Sequence, residues 1–261
     1  MINIYFDPVI WRSGPVTIGW HGFFLVASVL LVLGIAARLG RTRGISGEHI
    51  IEAALWALPP AYVAMRLPLL IERPAEFVQQ PLRILAIWEP GGMIYAALIA
   101  IFAVVALYGH RKGIPFADLA DVLIMAIPAA DLLGRIGCVL NADTPGVPTG
   151  GQWGLVYWNP DSQMPRAWLG VPTWPVPFII QACSLVTLAV LWLIWRRSPP
   201  RGTVALAGLF LIAAGYFVAG FWRPEVVFLF GLRQRQIASL LGMTAAAVLL
   251  LWQRVRRRGV I

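Results

Sequence analysis

The sequence predicts an all-α polytopic membrane protein with seven transmembrane helices and a small external cap loop, read as one domain over residues 1–261. Three observations carry that reading. Hydrophobic residues make up 59% of the chain and charged residues 13%, more apolar surface than a soluble chain of this length can bury. Seven apolar runs, at 17–37, 50–71, 92–108, 119–140, 174–195, 204–221 and 236–252, approach or reach the length needed to cross a hydrocarbon core of about 30 Å. Basic clusters fall in alternate gaps between them, as an up-and-down path through a membrane requires.

The elements follow in order. The first run lacks a basic leader and a small-x-small cleavage site, so it reads as a retained helix and not as a signal peptide. Arg38, Arg41 and Arg43 follow it. After the second run comes an outer stretch holding Glu72, Glu76, Phe77, Trp88 and the turn Pro90-Gly91-Gly92. The third run ends in Arg111 and Lys112, and the fourth carries Arg135 near its far end. Residues 141–173 are broken by Pro145, Pro148, Gly150, Gly151, Pro160, Pro165 and Pro172, too often to continue a helix, and form the external cap. Trp153, Tyr157, Trp158, Trp168 and Trp174 there suit the headgroup level. The fifth run ends in Arg196, Arg197 and Arg201, and the seventh leads to Arg254, Arg256, Arg257 and Arg258. Ala126, Ala130 and Gly134 recur every four positions, as do Gly215 and Ala219, a spacing that lets helix backbones approach. By the positive-inside rule the four basic clusters are cytoplasmic, with the N-terminus outside and the C-terminus inside.

The net charge of +9 is accounted for largely by these clusters and not by a basic stripe on a soluble domain, so nucleic acid is excluded as a partner. Cys138 and Cys183 lie in apolar runs without Cys-x-x-Cys spacing and predict neither a disulfide framework nor a metal site, and no cofactor is implied. His49 and His110 sit beside cytoplasmic basic clusters and read as structural. Glu52 and Arg66 share a run but lie too far apart to pair. Arg66, near the outer end, suits either contact with an anion or snorkelling to the interface. Arg135 is the most telling residue. A charge at membrane depth costs roughly 2.5–3.5 kcal/mol, and a guanidinium there asks for an anion. Asp131, one turn earlier, is the intrahelical alternative.

The words around Arg135 add to this. Gly134-Arg135-Ile136-Gly137, followed by Asn141, Asp143 and Gly146, resembles the signature of the bacterial prolipoprotein diacylglyceryl transferases, Gly-Arg-Ile-Gly-Asn-Phe-x-Asn-Gly-Glu. Phe6-Asp7-Pro8-Val9 with Trp20-His21-Gly22 resembles the family's opening Asp-Pro-Val and Trp-Tyr-Gly. Met65-Arg66-Leu67, Trp88 through Met93, Ala117 through Asp121, Phe221 through Glu225 and Gln236 through Ser239 resemble further family words in the same order. The resemblance implies transfer of the diacylglyceryl group of phosphatidylglycerol to the lipobox cysteine thiol in a prolipoprotein signal peptide, releasing glycerol phosphate, in the bacterial cytoplasmic (inner) membrane. Membrane lipids, phosphatidylglycerol and prolipoprotein signal peptides are then the partners. It assigns catalysis to Arg135 and Asp143, and substrate binding to Arg135, Asn141, Gly146, Arg223, Arg66, Gly91 and Gly92.

Departures from the family pattern are concentrated at functional words. The first signature asparagine is Cys138, the glutamate is Asp143, and the tyrosine of Trp-Tyr-Gly is His21. The histidine of the family's Gly-Gly-Met-Ser-Phe-His-Gly-Gly falls on Ala96. The family's His-Pro-Ser-Gln-Leu-Tyr-Glu becomes Thr173 through Gln181 without its histidine and glutamate, and its Arg-Phe-x-x-Glu falls on Tyr216 through Gly220. With Ala96 unable to take a proton, His21 is the one histidine this topology puts near the outer face, and it becomes the expected proton acceptor. The alternative is a divergent paralogue that binds phospholipid or lipoprotein without transferring anything. A small-solute transporter is disfavoured by the lack of a repeated half and of interrupted helix pairs.

Overall fold

The computed structural model describes residues 1–14, 16–72, 74–81, 84 and 94–258. Helices dominate: α1 (Trp20–Arg41), α2 (Gly47–Glu72), α3 (Pro74–Gln79), α4 (Ile94–Lys112), α5 (Phe116–Asn141), α6 (Val176–Arg196), α7 (Thr203–Ala219) and α8 (Gln234–Arg258). Short strands accompany them: β1 (Ile2–Ile4), β2 (Val9–Ser13), β3 (Val16–Gly19), β4 (Leu155–Tyr157), β5 (Val227–Leu229) and β6 (Leu232–Arg233). Six described helices are long and apolar enough to cross a membrane, namely α1, α2, α5, α6, α7 extended to Trp222, and α8. The predicted run at 92–108 is helical as α4, with residues 92 and 93 lying outside the described residues. The chain divides into two compact units.

One unit holds Ser13–Val16 and Leu33–Ala120. In it α2 packs on α4. Three prolines, Pro59, Pro60 and Pro68, lie inside α2. Such residues disrupt a helix in water, but in a membrane neighbouring helices and local adjustments re-satisfy the freed backbone groups. The polar residues gather at the basic end of these helices. The Tyr108 hydroxyl donates to Glu52 (2.6 Å), Lys112 pairs with Glu52 (3.3 Å), and His49 Nδ1 lies 2.9 Å from the Tyr108 oxygen. Arg43 pairs with Asp118 at 3.5 Å. His49 and Glu52 thus meet Tyr108 and Lys112 and not Arg66.

The other unit holds Met1–Arg12, Thr17–Val32 and Asp121–Ile261. Here α6 packs on α7 and α7 on α8. Gly215 permits the first contact, since a Cβ on it would lie 2.9 Å from Cys183 Cβ. At the other end of α7 the carboxylate of Asp121, fully buried on α5, accepts hydrogen bonds from the N–H groups of Gly202 (2.9 Å) and Ala205 (2.7 Å). A side chain from a different helix thereby caps α7, placing negative charge where its dipole is positive. Gln236, also fully buried, ties the return from α7 to α8: it accepts from the Arg233 N–H (3.1 Å) and donates to the Phe217 carbonyl (3.3 Å).

The cap is built on β4, which pairs in parallel with β1 in the register Ile2 with Leu155 and Ile4 with Tyr157. Ala142, Leu155, Tyr157 and Met164 form its core, with Ile4, Trp168 and Leu169 packed around them. This corrects the placement of Tyr157 at the headgroup level, because its side chain is only 2% exposed and faces the cap interior. Trp153 and Trp158 remain 46% and 47% exposed, as a headgroup position requires. The Asp7 carboxylate accepts the Val9 N–H at 2.9 Å, and the Pro8 carbonyl accepts the Trp20 N–H at 3.0 Å, which brings the chain from β1 to the start of α1.

Because the buried Gly202 N–H and the half-buried Ala205 N–H depend on Asp121, Asp121→Ala should cost about 1–3 kcal/mol. The expected result is a lower thermal unfolding midpoint in detergent, with Asp121→Asn losing less because one oxygen acceptor remains.

Candidate functional site

The site begins with a close helix contact. On α5, Gly134 and Gly137 share a face turned to the first turns of α1. A Cβ on Gly137 would lie 3.0 Å from both His21 Cα and Phe24 Cβ, and one on Gly134 would lie 3.0 Å from Ser28 Oγ. Ser28 itself donates to the Ala130 carbonyl at 3.0 Å. The two glycines of the Gly-Arg-Ile-Gly word therefore act by bringing α1 against α5, and this contact sets His21 beside Cys138.

Arg135 points the other way around α5, into a polar array among α5, α6, α7 and the loop after α5. Its Nε donates to Asp131 Oδ1 at 3.0 Å, and Ser184 on α6 donates to the other Asp131 oxygen at 2.6 Å. One Nη donates to the Tyr216 hydroxyl on α7, while the other reaches Thr144 Oγ1 at 3.3 Å and Cys138 Sγ at 3.8 Å. Asp131 thus satisfies the root of the guanidinium, and the fork meets two hydroxyls and a cysteine sulfur and no second carboxylate. An incoming phosphate oxygen would replace hydroxyl partners and not a carboxylate, which is the arrangement an anion site needs. The pairing with Asp131 and an anion-facing role coexist on one side chain.

α5 ends at Asn141, whose carbonyl accepts the Gln163 N–H (2.8 Å), and the chain reverses at Ala142 with φ of 56°. That reversal carries Asp143 back over the end of the helix. Asp143 Oδ2 lies 2.6 Å from His21 Nδ1, and its other oxygen accepts from Thr144 at 2.9 Å. Burial alone would raise this carboxyl, but the hydrogen bond and charge of His21, with the Thr144 hydroxyl, prevail and hold it at about 2. Cys138 Sγ lies 4.0 Å from the same His21 Nδ1. Among the described residues, the ligand atoms of His21, Cys138 and Asp143 all fall within 4.8 Å of one another. Cysteine spacing could not show this, because His21 lies 117 positions from Cys138 in the chain.

The remaining expected residues are placed as follows. Arg223 is buried and pairs with Glu225 at 2.9 Å, which Arg235 also contacts at 2.7 Å. Burial, then the Arg235 charge, lowers Arg223 from its ordinary value, while Glu225 works in the opposite direction. Gly146 is buried against Trp174, where a Cβ would strike the Trp174 carbonyl, so its lack of a side chain serves packing of the loop. Arg66 lies on α2 in the other unit, 3% exposed, with its guanidinium 5.5 Å from the Tyr62 ring centre. Gly91 and Gly92 lie outside the described residues. Ala96, in the first turn of α4, offers no titratable group. The sequence reading missed Tyr216, Thr144 and Ser184 as partners of the Arg135 array. Tyr216 did carry a signal: apart from Thr203 it is the one polar side chain in α7.

The sequence profile of the family described as prolipoprotein diacylglyceryl transferase matches residues 8–252. The chain is similar to phosphatidylglycerol–prolipoprotein diacylglyceryl transferases from several bacteria. It is 28% identical to that of Synechococcus elongatus over 94% of this chain and 86% of the relative. It is 24% identical to that of Lysinibacillus sphaericus over 98% and 95%, and 28% identical to that of Trichormus variabilis over 96% and 91%.

If the α1–α5 approach positions the site, Gly137→Ala should move His21 and overpack the contact, at about 1–3 kcal/mol. The expected readout is a lowered unfolding midpoint together with reduced transfer per folded molecule. Parent-like values of both would show that the approach has slack.

Proposed function

The chain belongs to the prolipoprotein diacylglyceryl transferase family, and we propose that it performs that family's reaction with a site rebuilt around His21, Cys138 and Asp143. It transfers the diacylglyceryl group of phosphatidylglycerol to the thiol of a lipobox cysteine. The thiol sulfur attacks the glycerol carbon, the carbon–oxygen bond to phosphate breaks, and glycerol phosphate leaves with the electron pair. A thiol with a pKa near 8.5 reacts as its thiolate, so the nucleophile end needs a means of removing a proton. The leaving-group end needs fixed positive charge.

The observation that carries the reading is the Arg135 fork, held at its root by Asp131 and open through hydroxyl groups of Tyr216 and Thr144. Arg135 binds the phosphate and stabilises the charge that grows on it. Arg223 assists from the outer end of α7, and Asn141 and Gly146 shape the loop that closes the pocket. Arg66, Gly91 and Gly92 are assigned to substrate binding by the family resemblance alone. His21 and Asp143 form the end at which the acceptor thiol loses its proton. The chain threads the bacterial inner membrane seven times, N-terminus outside and C-terminus cytoplasmic, so this site meets both amphiphilic substrates in the outer leaflet. The alanine at position 96 favours a second reading, a paralogue that binds phospholipid or lipoprotein without transfer.

Complementation of a bacterium depleted of its own diacylglyceryl transferase separates the two. The parent chain should restore growth and thioether formation on lipoproteins. Arg135→Lys should fold, keep a positive charge and lose the fork, lowering transfer by roughly 10–100-fold, the equivalent of about 1.5–3 kcal/mol for hydrogen bonds to a charged group. Failure of the parent, with phosphatidylglycerol binding retained, would favour the paralogue.

For the topology, a reporter fused after Arg257 should be active in the cytoplasm and one inserted at Gly150 should be active outside. A cytoplasmic signal from Gly150 would overturn the seven-span path.

A further inference from the structure

We propose that His21, Cys138 and Asp143 form a zinc site whose open position takes the acceptor thiol. The inference rests on the transferase reading and names how the thiolate is made.

Three side chains of different chemistry converge here: an imidazole nitrogen from the first turn of α1, a thiol from the last turns of α5, and a carboxylate just past the α5 terminus. Zinc bond lengths of about 2.0–2.3 Å put tetrahedral N, O and S ligands roughly 3.3–3.6 Å apart. The 2.6 Å and 4.0 Å separations of Asp143 Oδ2 and Cys138 Sγ from His21 Nδ1 lie on either side of that range. Changes of about 0.4–1 Å in these two separations bring them into that range. A mixed N, S and O set suits zinc better than magnesium or calcium, which take oxygen ligands, or copper(I), which favours sulfur. Three protein ligands and one vacancy are the pattern of a catalytic rather than a structural zinc.

The arrangement also argues against a relay of the Cys-His-Asp kind. There the thiol and the carboxylate use opposite nitrogens of the imidazole, whereas here both face Nδ1. Convergence on one atom of the ring is what a shared ion requires.

Chemically, the ion takes the acceptor cysteine as its fourth ligand, and the thiol proton is released to water as the sulfur binds. The zinc-held sulfur attacks the glycerol carbon. Its lone pair forms the carbon–sulfur bond, the carbon–oxygen bond breaks with its electrons on phosphate, and the thioether then leaves the metal. The products are the thioether, glycerol phosphate and one proton, with no oxidation or reduction.

The test uses the full chain in detergent, stripped with chelator, dialysed against Zn²⁺ or Co²⁺, and assayed for bound metal. The expected result is one equivalent of zinc and, for cobalt, a thiolate-to-metal charge-transfer band. Cys138→Ser and His21→Gln should both lose the metal and the band, while Cys183→Ser keeps both. Transfer should fall at least tenfold on stripping and return with zinc. No retained metal, or a band that survives Cys138→Ser, would overturn the site; metal bound with transfer unchanged by stripping would overturn its role and leave His21 as a metal-free proton acceptor. If metal binds as expected but loaded protein never transfers lipid, the zinc site stands and the transferase reading fails.

Discussion

A guanidinium in the last turns of a membrane helix is the constraint around which the larger unit is arranged. Arg135 cannot be left uncompensated at that depth, and the compensation is drawn from three directions: Asp131 from its own helix, Tyr216 from α7 and Thr144 from the following loop. Asp131 in turn is held by Ser184 of α6. One charge thereby sets the relative positions of polar groups on α5, α6 and α7, within faces that are otherwise apolar. The stability gained from such an array is modest, because buried ion pairs largely offset their own desolvation. What the array secures is direction: the fork is aimed and its root is neutralised before any substrate arrives.

The second constraint is steric. Gly134 and Gly137 let α1 lie on α5, and the left-handed residue Ala142 folds the loop back over the helix end. These two features bring residue 21 to residues 138 and 143. A side chain at 134 or 137 would press on Ser28, or on His21 and Phe24, and push α1 away from α5. The signature word thus combines two functions with different physics, glycines for approach and an arginine for charge.

Much of the fold could be read from the sequence because membrane helices are selected on length and apolarity alone, and those are local properties. The ends of α1, α4 and α6 followed their basic clusters for the same reason. What could not be read depends on three-dimensional convergence. Asp121 looked like part of a lead-in to the signature and proves to cap α7, some eighty residues later. β1 and β4 are three residues each, too short for alternation to register, and their pairing turns Tyr157 into the cap interior. Arg135 was identifiable because its charge is anomalous wherever the helix lies. Cys138 was not, since a thiol in an apolar run is ordinary, and only the neighbouring His21 and Asp143 give it meaning.

The charges of the two ends are complementary. Arg135 with Asp131 is neutral as a pair, and a divalent ion held by the Asp143 carboxylate and the Cys138 thiolate is neutral as a group, His21 serving as a neutral ligand. Bound substrates bring one negative charge on the lipid phosphate and one on the acceptor sulfur. The Arg223–Glu225–Arg235 cluster carries one net positive charge, which offsets part of that excess. In a medium of low dielectric constant, such balance matters more than any single contact. The positive charge for the leaving group comes from Arg135, and an ion held by the three converging side chains would supply its counterpart at the nucleophile end.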